Sequence, residues 1–181
     1  MLPHEKRLVL GFSLLELLIV TAIAAIVAAS SAPLLSESLR QSRLTAGSNS
    51  LFVALHFARS QALLRNQPWA LCLSDDGWRC KTGRNGPARG WLVLPAAASE
   101  LAMADPTRGL ASQQRMLLDR EIDLSGSRLK VTFWPVSRSG TTATFRLCIA
   151  TTNLPPRNII VSQTGRPRLQ IQRDRQGCAA S

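Results

Sequence analysis

Arg166 and Arg168 stand either side of Pro167 in the run Thr164-Gly165-Arg166-Pro167-Arg168, the densest candidate for chemistry in this sequence. Arg138, Arg146, Arg157, Arg173 and Arg175 share the chain from residue 138 onward with them, against one acid, Asp174. A guanidinium offers a planar fork of N–H donors that fits two phosphate oxygens at once, so clustered arginines point to a polyanion gripped by its backbone. Contacts of that kind give affinity without base readout, and the affinity falls steeply with salt. A solvated basic face without a ligand is the competing reading. Over the whole chain, 22 Lys and Arg oppose 11 Asp and Glu for a net charge of +11, and only Lys6, Lys81 and Lys130 are lysines.

Glu16 is conspicuous for its setting. From Phe12 to Ala32, 21 residues carry that single charge. At about 1.5 Å rise per residue such a helix is just long enough for a ~30 Å hydrocarbon core. A carboxylate in the run costs about 2.5–3.5 kcal/mol on insertion scales, so it needs a partner. Lys6 and Arg7 precede the run and hold the first residues on the cytoplasmic side, which sends the remainder out. A secretory signal peptide cut near Ala28-Ala29-Ser30 is the alternative, but the run is too long for it and Glu16 is misplaced.

The four cysteines, Cys72, Cys80, Cys148 and Cys178, all follow that run. In an oxidising compartment they permit two bridges with three connectivities, of which Cys72–Cys80 and Cys148–Cys178 are the local pairs. Buried free thiols are the other reading. A metal site is not expected, because no CxxC pair occurs and the histidines are His4 and His56 alone. No catalytic residue is assigned either: acids are sparse, and Ser139 and Ser162 sit in no GxSxG turn. The basic loop Lys81–Gly90 lacks the GK[ST] ending of a phosphate loop. Among the tryptophans, Trp69 and Trp134 read as core, whereas Trp78 and Trp91 are candidates for exposure.

The elements that must position these residues read as one helix followed by strands. Pro33 interrupts the apolar helix, where a kink or local melting is expected. Leu51, Leu55, Ala58 and Ala62 then recur at i, i+4, i+7 and i+11, one face of an amphipathic helix that Asn66-Gln67-Pro68 ends. His56 is a solvated or packed residue of that helix. Residues 69–74, a turn at Asp75–Gly77 and Trp78-Arg79-Cys80 read as a hairpin. Further strands are expected at Trp91–Pro95, Leu129–Trp134, Thr144–Ile149, Asn158–Ser162 and Arg168–Gln172, with the last two placing Arg166 and Arg168 astride a tight turn. About 145 residues beyond Ser36 suffice for one domain, and a long helix packed on an antiparallel sheet makes the class α+β.

The N-terminal run GFSLLELLIV resembles the class III leader of type IV pilins and type II secretion pseudopilins. Four further stretches, LHFARSQALLRNQPWALCLS, FWPVSRSG, TFRLCI and RNIIVSQTGRPR, are similar to the FimT/GspH family of minor pilins and pseudopilins. Together they cover most of the chain, with residues 81–121 matching least. The resemblance implies a type IV pilin-like fold, and a prepilin peptidase that cuts between Gly11 and Phe12. It implies N-methylation of Phe12, and a Glu16 that faces the α-amine of a neighbouring subunit during filament assembly. The organisation that follows is a leader at 1–11, a transmembrane helix at 12–33, its amphipathic continuation at 34–66 and a β-rich domain at 67–181. Such a subunit is single-pass in the inner membrane with a periplasmic domain, then joins other pilins in a filament. No cofactor is implied.

Thr164–Arg168 also resembles the GRxR element that serves DNA binding in natural transformation among FimT-type pilins, with Pro167 as a stiffening departure at the variable position. The expected DNA-binding set is therefore Gly165, Arg166 and Arg168 with Arg157, Arg173 and Arg175, gripping the phosphate backbone without sequence preference. A structural pseudopilin of the secretion system and a minor pilin that primes pilus assembly are the alternatives.

Overall fold

The computed structural model describes residues 13–99, 114–135 and 141–171, with backbone alone at 30–34. Two compact units result, residues 1–40 and 41–181. Helix α1 runs from Leu14 to Arg65. It continues through Pro33, so the local melting expected there does not occur. Proline deletes one N–H donor, and the hydrogen-bonded turns on either side are enough to carry the helix past it.

In the first unit α1 exposes Leu14, Leu15, Leu17, Leu18, Ile19, Val20, Ile23, Ile26 and Val27, every one of them more than half exposed. Among the described residues no helix is long and apolar enough to cross a membrane. The apolar run with described side chains, 13–29, is about 25 Å of helix, and the expected span at 12–33 extends beyond it on both sides.

The second unit begins with the amphipathic part of α1. Leu44, Ser48, Leu51, Leu55, Ala58 and Ala62 are buried on one face, which includes all four residues of the expected stripe. Each fully buried leucine contributes about 1.5–3 kcal/mol. The helix stops where Asn66 turns left-handed (φ 49°), a common helix ending, and Pro68 cannot continue it.

Eight strands follow: β1 Trp69–Ser74, β2 Gly90–Pro95, β3 Gln114–Leu117, β4 Asp123–Gly126, β5 Lys130–Phe133, β6 Ala143–Cys148, β7 Arg157–Val161 and β8 Pro167–Ile171. They form two antiparallel sheets rather than one, ordered β3-β2-β1-β5 and β4-β6-β7-β8. Alternation explains what each covers. Trp69, Leu71 and Leu73 of β1, with Trp91 and Val93 of β2, share the main core with α1, Phe145, Leu147, Ile159 and Val161. Cys72, Leu92 and Leu94 point the other way and form a second small core with Cys80. The two central strands of the first sheet, β1 and β2, are thus buried on both faces, whereas β3 at its edge is largely exposed. The second has one core face and one face that bears Ser125, Thr144, Arg146, Ile160, Arg168 and Gln170.

The hairpin expected after β1 does not form, because β1 pairs with β2 and with β5. Residues 75–89 instead make a long connection held by a Cys72–Cys80 disulfide. Within it, Asp76 Oδ1 accepts from the backbone N–H groups of Trp78 (2.8 Å) and Arg79 (2.9 Å). Burial pushes the Asp76 carboxyl up, but these N–H groups, the Ser74 hydroxyl and Arg79 outweigh it and hold the group below its ordinary value. Lys81 Nζ meets Asp75 Oδ2 at 2.8 Å, and Ala88 N donates to Leu124 O at 2.7 Å, which docks the connection on β4. Trp91 faces the main core and Trp134 is half exposed just past the end of β5, the reverse of expectation for both; Trp69 is buried and Trp78 exposed, as expected.

Removing the bridge as Cys72→Ser/Cys80→Ser is expected to lower unfolding stability by about 2.5 kcal/mol on the chain-entropy estimate for so short a loop. Urea titration of the purified protein against wild type measures it, and an unchanged midpoint would contradict a structural role.

Candidate functional site

The β7–β8 connection is a three-residue loop, Gln163-Thr164-Gly165, closed by Ser162 and Arg166. Gly165 N donates to Ser162 O (2.8 Å), and Ser162 N to Arg166 O (3.1 Å). The Ser162 hydroxyl accepts from Arg166 N (3.2 Å) and lies 2.9 Å from Thr164 Oγ1. Gly165 has φ 71°, the left-handed third position that such loops require. A side chain there would also press on Phe133, since an added Cβ would stand 3.3 Å from Cδ1 of that ring.

This geometry changes the disposition of the arginines. They do not straddle the turn, because the loop closes before them and both belong to the β8 side. Arg166 and Arg168 are two residues apart on an extended chain, so they share the outward face while buried Pro167 points to the core between them. Pro167 opens the last strand of the sheet, a position where its missing N–H is tolerated. Arg166 and Arg168 line a shallow groove with Ser127, Thr142, Thr144 and Ile160.

Arg157 departs from expectation. It shares the core-facing side of β7 with Ile159 and Val161, is only 9% exposed, and donates from Nη2 to Thr45 Oγ1 on α1 at 3.4 Å. Its position in the strand alternation puts it on the side opposite Arg168, away from any ligand of the outward face. Arg173, Arg175, Arg138 and Cys178 lie outside the described residues, as do Gly11 and Phe12. Cys148 is disulfide-bonded, and among the described residues no cysteine is free. Glu16 is exposed in the first turns of α1. His56 is exposed and meets Phe52 edge-on at 4.7 Å.

Two arginines that sequence reasoning did not assign are held at the edge of this groove by the backbone of its residues, and Arg84 also lines the neighbouring pocket. Arg84 Nη2 donates to Ser127 O at 2.8 Å, and Arg128 Nε to Thr142 O at 3.1 Å. The signal for Arg84 was present in the basic Lys81–Gly90 loop, but only the docking of that loop on β4 shows where it goes. For Arg128 the sequence carries no comparable cue.

The family model for the type II transport protein GspH matches residues 47–165, and that for the prokaryotic N-terminal methylation motif matches residues 6–32. The chain belongs to the GspH family. That family comprises minor pilins and pseudopilins, structural subunits rather than enzymes; membership implies assembly with other pilins, and the methylation motif implies membrane anchoring. The fold agrees. The type IV minor pilin FimU of Pseudomonas aeruginosa is 18% identical with a TM-score of 0.50, over 70% of this chain and 91% of that one. A second crystal form of FimU gives 19% and 0.50, over 77% and 97%. The minor pseudopilin EpsH from the type 2 secretion system of Vibrio cholerae is 12% identical with a TM-score of 0.52, over 73% and 99%. No curated protein sequence matches the chain. The GspH match ends at Gly165, so membership rests on the helix and the two sheets and not on Arg166 or Arg168.

Gly165→Ala is expected to destabilise the protein by about 1–2 kcal/mol through left-handed strain alone. Denaturant unfolding checks the figure, and a loss under about 0.5 kcal/mol would contradict the loop geometry described.

Proposed function

We propose that the protein is a minor type IV pilin that binds DNA by its phosphate backbone, without sequence preference, for DNA uptake in natural transformation. The observation that supports this most is the pairing of Arg166 and Arg168 on one exposed strand face beside a hydroxyl-lined groove. None of the ion pairs found among the described residues engages either arginine. Their donors are therefore available to phosphate oxygens, in a chain of net charge +11. Arg173 and Arg175, the next arginines along the chain, extend the same basic segment.

For anchoring, the same proposal takes residues 12–33 as a single-pass inner-membrane helix and residues 67–181 as the periplasmic domain. The prepilin peptidase cuts between Gly11 and Phe12, Phe12 is N-methylated, and Glu16 offsets the amine of a neighbour in the filament. The exposed apolar side chains from Leu14 to Val27 support this, since they need lipid or other helices around them. A subunit of the type II secretion pseudopilus is the second reading, favoured by the description of the matching family model. A deletion strain that fails in secretion but transforms normally would decide for it.

Full-length protein in detergent is expected to retard duplex DNA at 50 mM salt, and Arg166→Gln/Arg168→Gln to weaken binding at least about tenfold, as two lost charge-assisted contacts require. A wild-type protein that leaves DNA unshifted would sink the proposal. For processing, the mature chain is expected to begin at methylated Phe12 by intact-mass measurement and N-terminal fragmentation; a first residue near Ser30 would instead indicate signal peptidase.

A further inference from the structure

We infer that the phosphate-binding surface extends from the β7–β8 turn across the Thr144-Ile160-Arg168 row of the β4-β6-β7-β8 sheet to its far side, with Arg84 and Arg128 as ligands beyond the turn. This rests on the DNA-binding reading and extends it to residues outside the turn motif.

The argument starts from strand register. Thr144, Ile160 and Arg168 are opposite one another across β6, β7 and β8, and Arg146, Asn158 and Gln170 form the next row. Two strand steps of about 4.8 Å separate Thr144 from Arg168, so groups at the two ends of a row are ~10 Å apart. They are too far apart to share one phosphate and must take different ones. Arg166 and Arg168 supply the β8 side of this face. Arg84 and Arg128 supply the opposite side, where Ser127 and Thr142 hold them.

Each of those two guanidiniums uses one donor on a backbone carbonyl of a groove residue. That bond fixes its place and leaves the other N–H groups of the fork available. Both side chains belong to exposed residues, and neither joins an ion pair among the described residues. Between these arginines and those of β8 lie Ile160, in the middle of its row, and the hydroxyls of Ser127, Thr142 and Thr144. Ser127 Oγ accepts from Thr144 N at 3.0 Å, which leaves its own proton to donate to an anion. The groove lining contains no acid and no aromatic ring, so it offers donors to a backbone and no platform on which to stack a base. Asp123, two residues from Ser125 on the outward side of β4, is the acid on this face; it lines a neighbouring pocket with Lys81, Arg84 and Arg146, and none of the ion pairs among the described residues joins it to Arg84. The Arg84 loop is itself pinned by the Cys72–Cys80 bridge, by Lys81 on Asp75 and by Ala88 on β4.

A salt titration of duplex binding tests this, because each phosphate contact adds close to one unit to the slope of log affinity against log salt. Full-length Arg84→Gln/Arg128→Gln is expected to bind a 30-base-pair duplex at least about tenfold more weakly at 50 mM salt, with a slope shallower by about 2. Its thermal unfolding should match wild type. Arg43→Gln/Arg115→Gln removes the same charge elsewhere, from α1 and β3, and should bind as wild type does. Equal weakening in both double variants would reduce the effect to net charge and overturn the inference. So would wild-type affinity and slope in Arg84→Gln/Arg128→Gln, while a simultaneous loss in Arg166→Gln/Arg168→Gln would leave DNA binding by the turn intact. Wild-type protein that binds no DNA would overturn both.

Discussion

Burial of one stripe of α1 is the constraint on which the second unit depends. Leu44, Leu51 and Leu55 supply the apolar area, while Gly47, Ser48, Ala54, Ala58 and Ala62 keep the helix surface low enough for the sheets to approach. Gly47 shows how close that approach is, since an added Cβ would stand 2.9 Å from Leu118 Cδ2. Cores packed to this density do not absorb an extra methyl without moving their neighbours. The helix thereby fixes which side of every strand is inner. Once Phe145, Leu147, Ile159 and Val161 turn toward it, strand alternation sends Thr144, Arg146 and Ile160 outward.

The two sheets solve the remaining problem differently, and the difference confines where a ligand can bind. The first sheet has its outer face covered by the 75–89 connection, through the cluster of Cys72, Cys80, Leu92 and Leu94. The second lacks a comparable apolar cover and carries polar and cationic side chains instead. A polyanion needs donors that are exposed, fixed and unneutralised at the same time. Arg157 is fixed but buried; Arg43 is exposed but neutralised by Asp119 at 3.0 Å. Arg84 and Arg128 meet all three conditions, each held by a hydrogen bond to a backbone carbonyl, and Arg166 and Arg168 stand exposed and unneutralised across the groove.

How much of this was legible in the sequence follows from the range of each signal. The stripe of Leu51, Leu55, Ala58 and Ala62 is a local repeat, and it is buried as its period requires. β2 and β5 to β8 were readable within a residue or two, because Gly, Pro and Ser mark their ends. β3 and β4 were not, since four-residue strands in polar sequence carry no period to detect. The false hairpin after β1 came from a real turn signal at Asp75–Gly77, overridden when β1 found longer partners in β2 and β5. The arginines divide in the same way. The turn motif was visible because its residues are adjacent. The exclusion of Arg157 depends on which face of β7 meets the helix, and the recruitment of Arg84 on a loop docked to a strand some 40 residues later. Neither is a property of a short window.

Gathering four unneutralised cations on one face costs stability through their mutual repulsion. Exposure limits that cost, because water and salt screen the repulsion between charges on an open face. Arg168 also lies on β8, the last strand in the described order of its sheet. A strand end that begins with proline and carries arginine is poorly suited to pairing with another strand, so the same residues that suit phosphate also discourage edge-to-edge association. A polyanion laid across the face would replace repulsion between the cations with attraction to the phosphates, and would release counterions as it did so. The free energy stored by clustering is thus returned on binding, and the stable core beneath, fixed by α1, is what allows it to be stored.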